Sequence, residues 1–313
     1  MAGLNTEKWR VLDFTGFTGK VKAERGAIAI INDDGSETNV PVADVAVALF
    51  GVNTRFSAGS MHRLLGNGTA VIYCDWKGTP IGAAAPWADH TRVGARQIAQ
   101  ANASLPKRKA AWAKIVKAKV LGQAAVLEYC DRDGAKLLRS MAKRIASGDS
   151  SNIEGQSARA YWKHLFAGKD FKRLPGVADS ESPENSLLNY GYTILRGHAM
   201  RAVVAAGLSP ALGIFHRGRS NAFNLADDLI EPFRPAIDAC AASLLSNSNI
   251  DSSATRAALV AAAGDTFGLS GNSIPAELTA LAQRYGQYLE GNLAKLEVAH
   301  WSPTLALGLS DAE

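Results

Sequence analysis

The chain has 313 residues, 47% of them hydrophobic and 20% charged, a composition that excludes intrinsic disorder and allows one large domain or two ordinary ones. A formal net charge of +5 and a pI near 9.1 suit an anionic partner without identifying it. Cys74, Cys130 and Cys240 are widely spaced with no CxxC pair, which leaves a zinc ribbon or a dithiol redox centre without its signature and reads as free thiols in a reducing cytosol.

The first ten residues carry no apolar core of the signal-peptide kind. The longest apolar stretch, 202–215, is too short to span a bilayer and is broken by Ser209-Pro210, so a cytoplasmic protein without membrane contact is expected. Along the chain, Ala27–Ile31 is a short apolar run stopped by Asn32-Asp33-Asp34-Gly35, a hairpin signal. Val42 to Phe50 fits both helical and extended periods, and Ser57 to Leu65 suits a short helix. Thr69 to Cys74 reads as a buried strand ended by Asp75-Trp76-Lys77-Gly78. From about Ala110 the period becomes helical: Trp112, Ile115, Val116, Val120, Ala124 and Leu127 recur over many turns. Leu187 to Val204 marks another helix, closed by Gly207 with Pro210 beyond it. The expected fold is α+β: a small β-rich N-terminal domain over residues 1–90, a linker at 91–105, and a larger all-α C-terminal domain over 106–313.

Between Thr91 and Ser147 there are thirteen Lys/Arg against three Asp/Glu, a local balance of +10. Arg92, Arg96, Lys107, Arg108, Lys109, Lys114, Lys117 and Lys119 belong to this run. It is either a solvated helix face or a phosphate-binding ridge.

Three segments hold side chains suited to chemistry. Glu154 follows Ser151 by three residues, a capping-box spacing in which the carboxylate would bond backbone N–H groups; Gly155 beside it leaves room for close approach to the backbone. His216 is followed by Arg217, Gly218 and Arg219, a loop that would suit phosphate, although an isolated histidine after an apolar run is also an ordinary core residue. Asp228 and Glu231 share one helical face, with Pro232 and Pro235 ending or restarting the helix there. Two carboxylates near an imidazole would accept a hard divalent cation; the same acids would equally suit the start of the next helix. There is no phosphate loop, nucleophile elbow or His-Glu-x-x-His. Tyr190, Tyr192 and His198 read as core.

Taken in order, these segments resemble the integrase and endonuclease of CRISPR adaptation, the CRISPR-associated protein one family. The resemblance runs through Val45–Pro86, Trp112–Gln123, Asn152–Tyr161, Leu188–Leu195, Gly213–His216 and Asn221–Pro235, the last most like the type II form, and fades after about residue 250. It implies that Glu154, His216 and Glu231 hold one Mg²⁺ or Mn²⁺, with Asp228 supporting a ligand. It implies transesterification by a DNA 3′-hydroxyl that inserts spacers into a repeat array, with nicking when water replaces the hydroxyl. It also implies a homodimer bridged by CRISPR-associated protein two, with dimer and partner contacts in the N-terminal domain, double-stranded DNA as substrate, and the type II effector nuclease as a further candidate partner. Arg159, Lys163, Arg217, Arg219 and Arg234 are expected phosphate contacts, from charge and sequence proximity. A non-catalytic helical nucleic-acid-binding protein and a phosphohydrolase of small phosphoesters are the competing readings.

Overall fold

Alternating apolar residues in the first part of the chain build two small sheets rather than one. The computed structural model describes residues 10–76, 78–86, 90–174, 182–245, 252–268 and 271–303. The first sheet has the order β1 (Arg10–Phe14), β5 (Val45–Phe50), β7 (Ala70–Cys74), β8 (Pro80–Ala84); β1 and β7 run parallel to β5, and β8 antiparallel to β7. The second has the order β4 (Glu37–Pro41), β3 (Ala27–Asn32), β2 (Gly19–Glu24), β6 (Thr54–Phe56), antiparallel except for the β2–β6 pair. The expected hairpin joins β3 to β4. Asp34 accepts from the Ser36 backbone N–H at 2.8 Å, and Gly35 supplies the positive φ of the turn.

The ambiguous stretch 42–50 divides into one 3₁₀ turn (Val42–Asp44) and β5. Every residue of β5 is buried because both faces are covered, and this hides the usual alternation. Ala48 and Phe50 join Val21, Ile28 and Leu64 in a core between the two sheets and α1 (Ala58–Gly66), the short helix expected there and capped by Ser57. Val47 and Leu49 face the helices instead.

The helical part contains α2 (Val93–Ala101), α3 (Leu105–Tyr129), α4 (Ala135–Lys143), α5 (Ile153–Leu165), α6 (Pro183–Ala205), α7 (Asn224–Ile230), α8 (Arg234–Leu244), α9 (Ser253–Gly264) and α10 (Ile274–Glu290). The two longest, α3 and α6, bury residues all round and form the centre of the bundle. A Cβ on Gly197 of α6 would lie 2.7 Å from Val47 and 3.3 Å from Ile72, so this glycine sets how closely the bundle meets the first sheet. The first sheet and the helical part therefore share an apolar core, distinct from the one between the two sheets. The 91–105 stretch, expected as a linker, carries α2 docked on the bundle. Buried Arg96 donates to the Ala206 carbonyl and to Gln283, both at 2.7 Å, and pairs with Glu290. Beyond residue 250, Leu259, Phe267, Leu278 and Tyr285 are fully buried, so that region completes the core. Among the described residues no helix is long and apolar enough to cross a membrane. Of the expected Asp75-Trp76-Lys77-Gly78 strand end, Lys77 lies outside the described residues.

His198, read as core, lies buried in α6. Burial first, and Arg201 second, push its pKa down to about 4. A histidine kept neutral in the fold but free to protonate when unfolded contributes stability above about pH 6.5 that is lost as pH falls towards 4. Over that window wild type should lose up to about 3 kcal/mol more than His198→Leu in denaturant titrations. Parallel pH profiles of the two proteins would rule the assignment out.

Candidate active site

The site forms where α3, the first turn of α5, the 213–219 loop and the end of α7 meet. Glu154 lies in the first turn of α5. The expected capping box is not formed: Asn152 is the N-cap, accepting from the Gly155 N–H at 3.2 Å, while Asp149 accepts from Ile153 at 2.8 Å and Glu154 at 2.9 Å. Asp149 and Asn152 both adopt positive φ, a conformation costly for residues with a Cβ. With the helix end satisfied by these two residues, the Glu154 carboxylate is released to point elsewhere. It meets Lys119 of α3, whose Nζ donates to Glu154 Oε1 at 2.7 Å.

Glu231 caps the C-terminal end of α7 and is buried. Its Oε2 is 2.6 Å from the same Lys119 Nζ, and its Oε1 is 3.1 Å from Arg234. Burial alone would raise its pKa, but Arg234 and Lys119 together hold the carboxyl below its ordinary value. Glu154 and Glu231 thus converge on one cation.

His216 reaches the site through Asp228. The fully buried Asp228 carboxylate accepts the backbone N–H groups of Ile214 (2.5 Å), Phe215 (3.0 Å) and His216 (3.2 Å), and its Oδ1 lies 2.7 Å from His216 Nδ1. One carboxylate therefore folds the loop and orients the ring at once. With Nδ1 bound to an acceptor, the imidazole carries its proton there and presents the Nε2 lone pair outward. The hydrogen bond to Asp228 raises the His216 pKa against the opposing effect of burial, and Glu231 adds to the rise. Gly213 permits this fold: a Cβ there would sit 2.3 Å from the His216 carbonyl oxygen and 2.9 Å from Asp228. Trp112 of α3 meets the imidazole edge-on, 5.9 Å between centroids.

Behind these groups, Tyr161 donates to Asp238 at 2.9 Å and Tyr192 donates to its other oxygen. Burial lifts the Asp238 pKa to about 6. Arg234 lies over the Tyr192 ring at 4.5 Å.

The family model for CRISPR associated protein Cas1 matches residues 14–260. The chain belongs to the Cas1 family. It is 37% identical over 222 residues to a CRISPR-associated endonuclease Cas1 of Neisseria meningitidis serogroup C, covering 70% of this chain and 71% of that one. In structure it is similar to a Cas1 protein from Thermotoga maritima, with a TM-score of 0.72, 16% identity and 94% and 100% of the two chains covered. It is also similar to a casposase bound to integration product, with a TM-score of 0.76, 18% identity and 92% of each chain covered.

In this Cas1-family chain the candidate site residues have unequal places. Glu154 and Glu231 are joined through Lys119, Asp228 and His216 form a second pair, and the charge of Glu231 acts on the His216 ring. Among the described residues, though, no three His, Cys, Asp or Glu side chains gather closely enough to cage a metal as they lie. Lys119 stands between the two acids. Arg234, expected on phosphate, is turned inward onto Glu231 and Tyr192. Arg159, Lys163, Arg217 and Arg219 are exposed. The 91–147 ridge is partly consumed within the fold: Arg92 and Arg96 pair with Glu290, Lys107 donates to the Leu289 carbonyl, and Lys119 pairs with both acids. Lys109, Lys114 and Lys117 remain exposed and take part in no ion pair among the described residues.

A cleft of about 230 Å³ opens between α3 and the 214–217 loop, with Trp112 and Phe215 as its aromatic wall and Arg108, Lys109 and Arg217 among its other lining residues. Phe215 is 51% exposed and stacks on Trp112 at 4.5 Å and 5°. Sequence reasoning passed over Lys119, Asp149 and Trp112 as parts of the site. For Lys119 there was a signal: it lies three residues from Val116 and four from Ile115, both apolar and buried, where an unpaired ammonium is rare.

Proposed function

We propose that the protein is the metal-dependent DNA integrase and endonuclease of CRISPR adaptation, in its type II form, with Glu154, His216 and Glu231 as the metal-holding set and Asp228 as the residue that positions His216. The observation that carries this reading is the convergence of Glu154 and Glu231 on a single cation beside an imidazole whose Nδ1 is fixed by a buried carboxylate. Two oxygen donors and one nitrogen suit Mg²⁺ or Mn²⁺, the nitrogen favouring Mn²⁺. Such an ion supplies charge to polarise a scissile phosphate and to steady the oxygen that departs from it.

The reaction is a transesterification. The 3′-hydroxyl of an incoming DNA end attacks a phosphorus of the repeat, a new P–O bond forms, and the bond to the repeat's own 3′ oxygen breaks, so phosphodiesters are conserved in number. Water in place of the hydroxyl gives nicking. Asp228 keeps the imidazole in one tautomer and one orientation, which removes a reorganisation cost from each turnover. The exposed cations Lys109, Lys114, Lys117, Arg217 and Arg219 hold the phosphate backbone around the cleft. Family membership supports the chemistry. The solved Cas1–Cas2 complexes and the casposase bound to integration product, to which the fold is similar, support DNA and Cas2 as partners. A homodimer, with its contacts in the N-terminal sheets, completes the proposal, and the type II effector nuclease is a candidate further partner.

The test is joining of a short duplex with free 3′ ends into a supercoiled plasmid carrying the repeat, with the Cas2 partner and Mn²⁺ or EDTA. Metal-dependent joining by wild type and its loss in His216→Ala support both function and site. Joining that survives in His216→Ala removes His216 from the site. Salt-sensitive DNA binding without joining favours a binding module.

Charge reversal at Arg217 and Arg219 tests the DNA face separately. Removing two phosphate contacts should weaken binding uniformly across sequences and flatten the log–log salt slope by about 1.8. An unchanged slope in fluorescence-anisotropy titrations would place the DNA elsewhere.

A further inference from the structure

Lys119 does not behave as a member of a phosphate-binding ridge. Its stem runs inward from α3, flanked by buried Val116, Ala118 and Val120, and its side chain is only 12% exposed. The ammonium ends between two acids, 2.7 Å from Glu154 Oε1 and 2.6 Å from Glu231 Oε2. Arg234 meets the other oxygen of Glu231, so among the described residues Lys119 is the cation that contacts both acids. Two carboxylates that converge repel one another, and a cation between them offsets that repulsion.

We infer that Lys119 is the resident counter-ion of the metal site: it holds Glu154 and Glu231 together, and divalent-cation binding is an exchange in which Lys119 Nζ is displaced from those oxygens. The inference rests on the reading of Glu154 and Glu231 as metal ligands. The same two oxygens serve both cations, so every bond formed to the ion is a bond lost by the ammonium. Lys119 is then a positioning residue with two opposed effects. It assembles the ligand pair in the metal-free protein, and it weakens the net affinity for metal by competing for the pair. A purely structural lysine would do only the first.

The test measures Mn²⁺ binding by loss of the free-ion EPR signal, together with thermal melts with and without MnCl₂. Wild type, Lys119→Met, Lys119→Gln and Glu154→Gln are compared, each as the full chain. Removing the competing ammonium should tighten Mn²⁺ binding roughly tenfold in both lysine variants. Both should melt lower than wild type without metal and gain more from MnCl₂ than wild type does. Lys119→Gln keeps a hydrogen-bonding head and so remains informative if Lys119→Met does not fold without metal. Equal or weaker Mn²⁺ binding in folded Lys119→Gln, while Glu154→Gln abolishes binding, overturns the exchange and leaves the metal site standing. Absence of Mn²⁺ binding in wild type and in both lysine variants overturns the metal reading, and the exchange with it.

Discussion

Joining activity is expected to fall about a thousandfold in both Glu154→Gln and Glu231→Gln, the loss of about 4 kcal/mol of transition-state stabilisation that follows when a cation-binding carboxylate is neutralised. The two variants should nevertheless differ sharply in stability. Glu231 is buried and answers two cations, Lys119 and Arg234, so its neutralisation leaves Arg234 without its carboxylate partner and strips Lys119 of one of two. Breaking a buried pair from one side costs about 3 to 5 kcal/mol. The Glu154 carboxylate is a quarter exposed and pairs with Lys119, which keeps Glu231, so its neutralisation should cost less than about 1 kcal/mol. Duplex binding should survive in both, since the exposed cations are untouched. Urea titration beside the joining assay checks this. Equal stability losses in the two variants would show that the charge network around Glu231 is not what the geometry implies.

The second large effect is expected at Asp228, a residue proposed to touch neither metal nor DNA. Its two oxygens accept four donors, three backbone N–H groups and His216 Nδ1. In Asp228→Asn one oxygen becomes an NH₂ group. An NH₂ facing the loop repels backbone donors; facing the imidazole, it donates to Nδ1 and moves the ring proton to Nε2, where the lone pair is needed. Either orientation should lower joining at least a hundredfold. The loop should also loosen, at a cost of about 1 to 3 kcal/mol for buried N–H groups left unpaired. A structural role alone would lower stability and activity together. A tautomer role predicts that the residual activity of Asp228→Asn loses the wild-type dependence on pH, in which joining falls as His216, its pKa held above the ordinary value by Asp228, takes up a second proton. NMR of the ring nitrogens gives the tautomer directly, and an unchanged Nδ1–H tautomer in the variant would remove this explanation.

Several elements were legible because their cause is local. The turn at Asn32–Gly35 needs only Asp34 and a glycine able to take positive φ. The apolar period of Trp112 to Leu127 and of Leu187 to Val204 produces α3 and α6 without reference to other segments. Strand β2 escaped notice although Val21 alternates with exposed lysines, because a short half-buried strand offers too few apolar positions to stand out. β5 was ambiguous because two unrelated layers cover its faces. The 91–105 stretch read as a linker because its helix is held by polar contacts: Arg96 and Gln100 reach the carbonyls of Ala206, Ser209 and Leu212 rather than an apolar stripe.

By itself the amino-acid sequence carried the fold class and the family, and it offered candidate residues for the chemistry: two acids, an imidazole and a supporting carboxylate. The fold class follows from local periodicity; the family and the candidate residues follow from the order of segments along one chain and their resemblance to a known family. Only the tertiary structure decided how those residues are paired. Asp149 and Asn152, not Ser151, cap α5, which frees Glu154. Asp228 answers the 213–216 backbone. Arg234 turns inward, and Lys119 leaves the basic ridge to bridge two acids. The reason is electrostatic. Which charge meets which depends on distance and burial, and both are set by helices 35 and 112 residues apart in the chain folding onto one another.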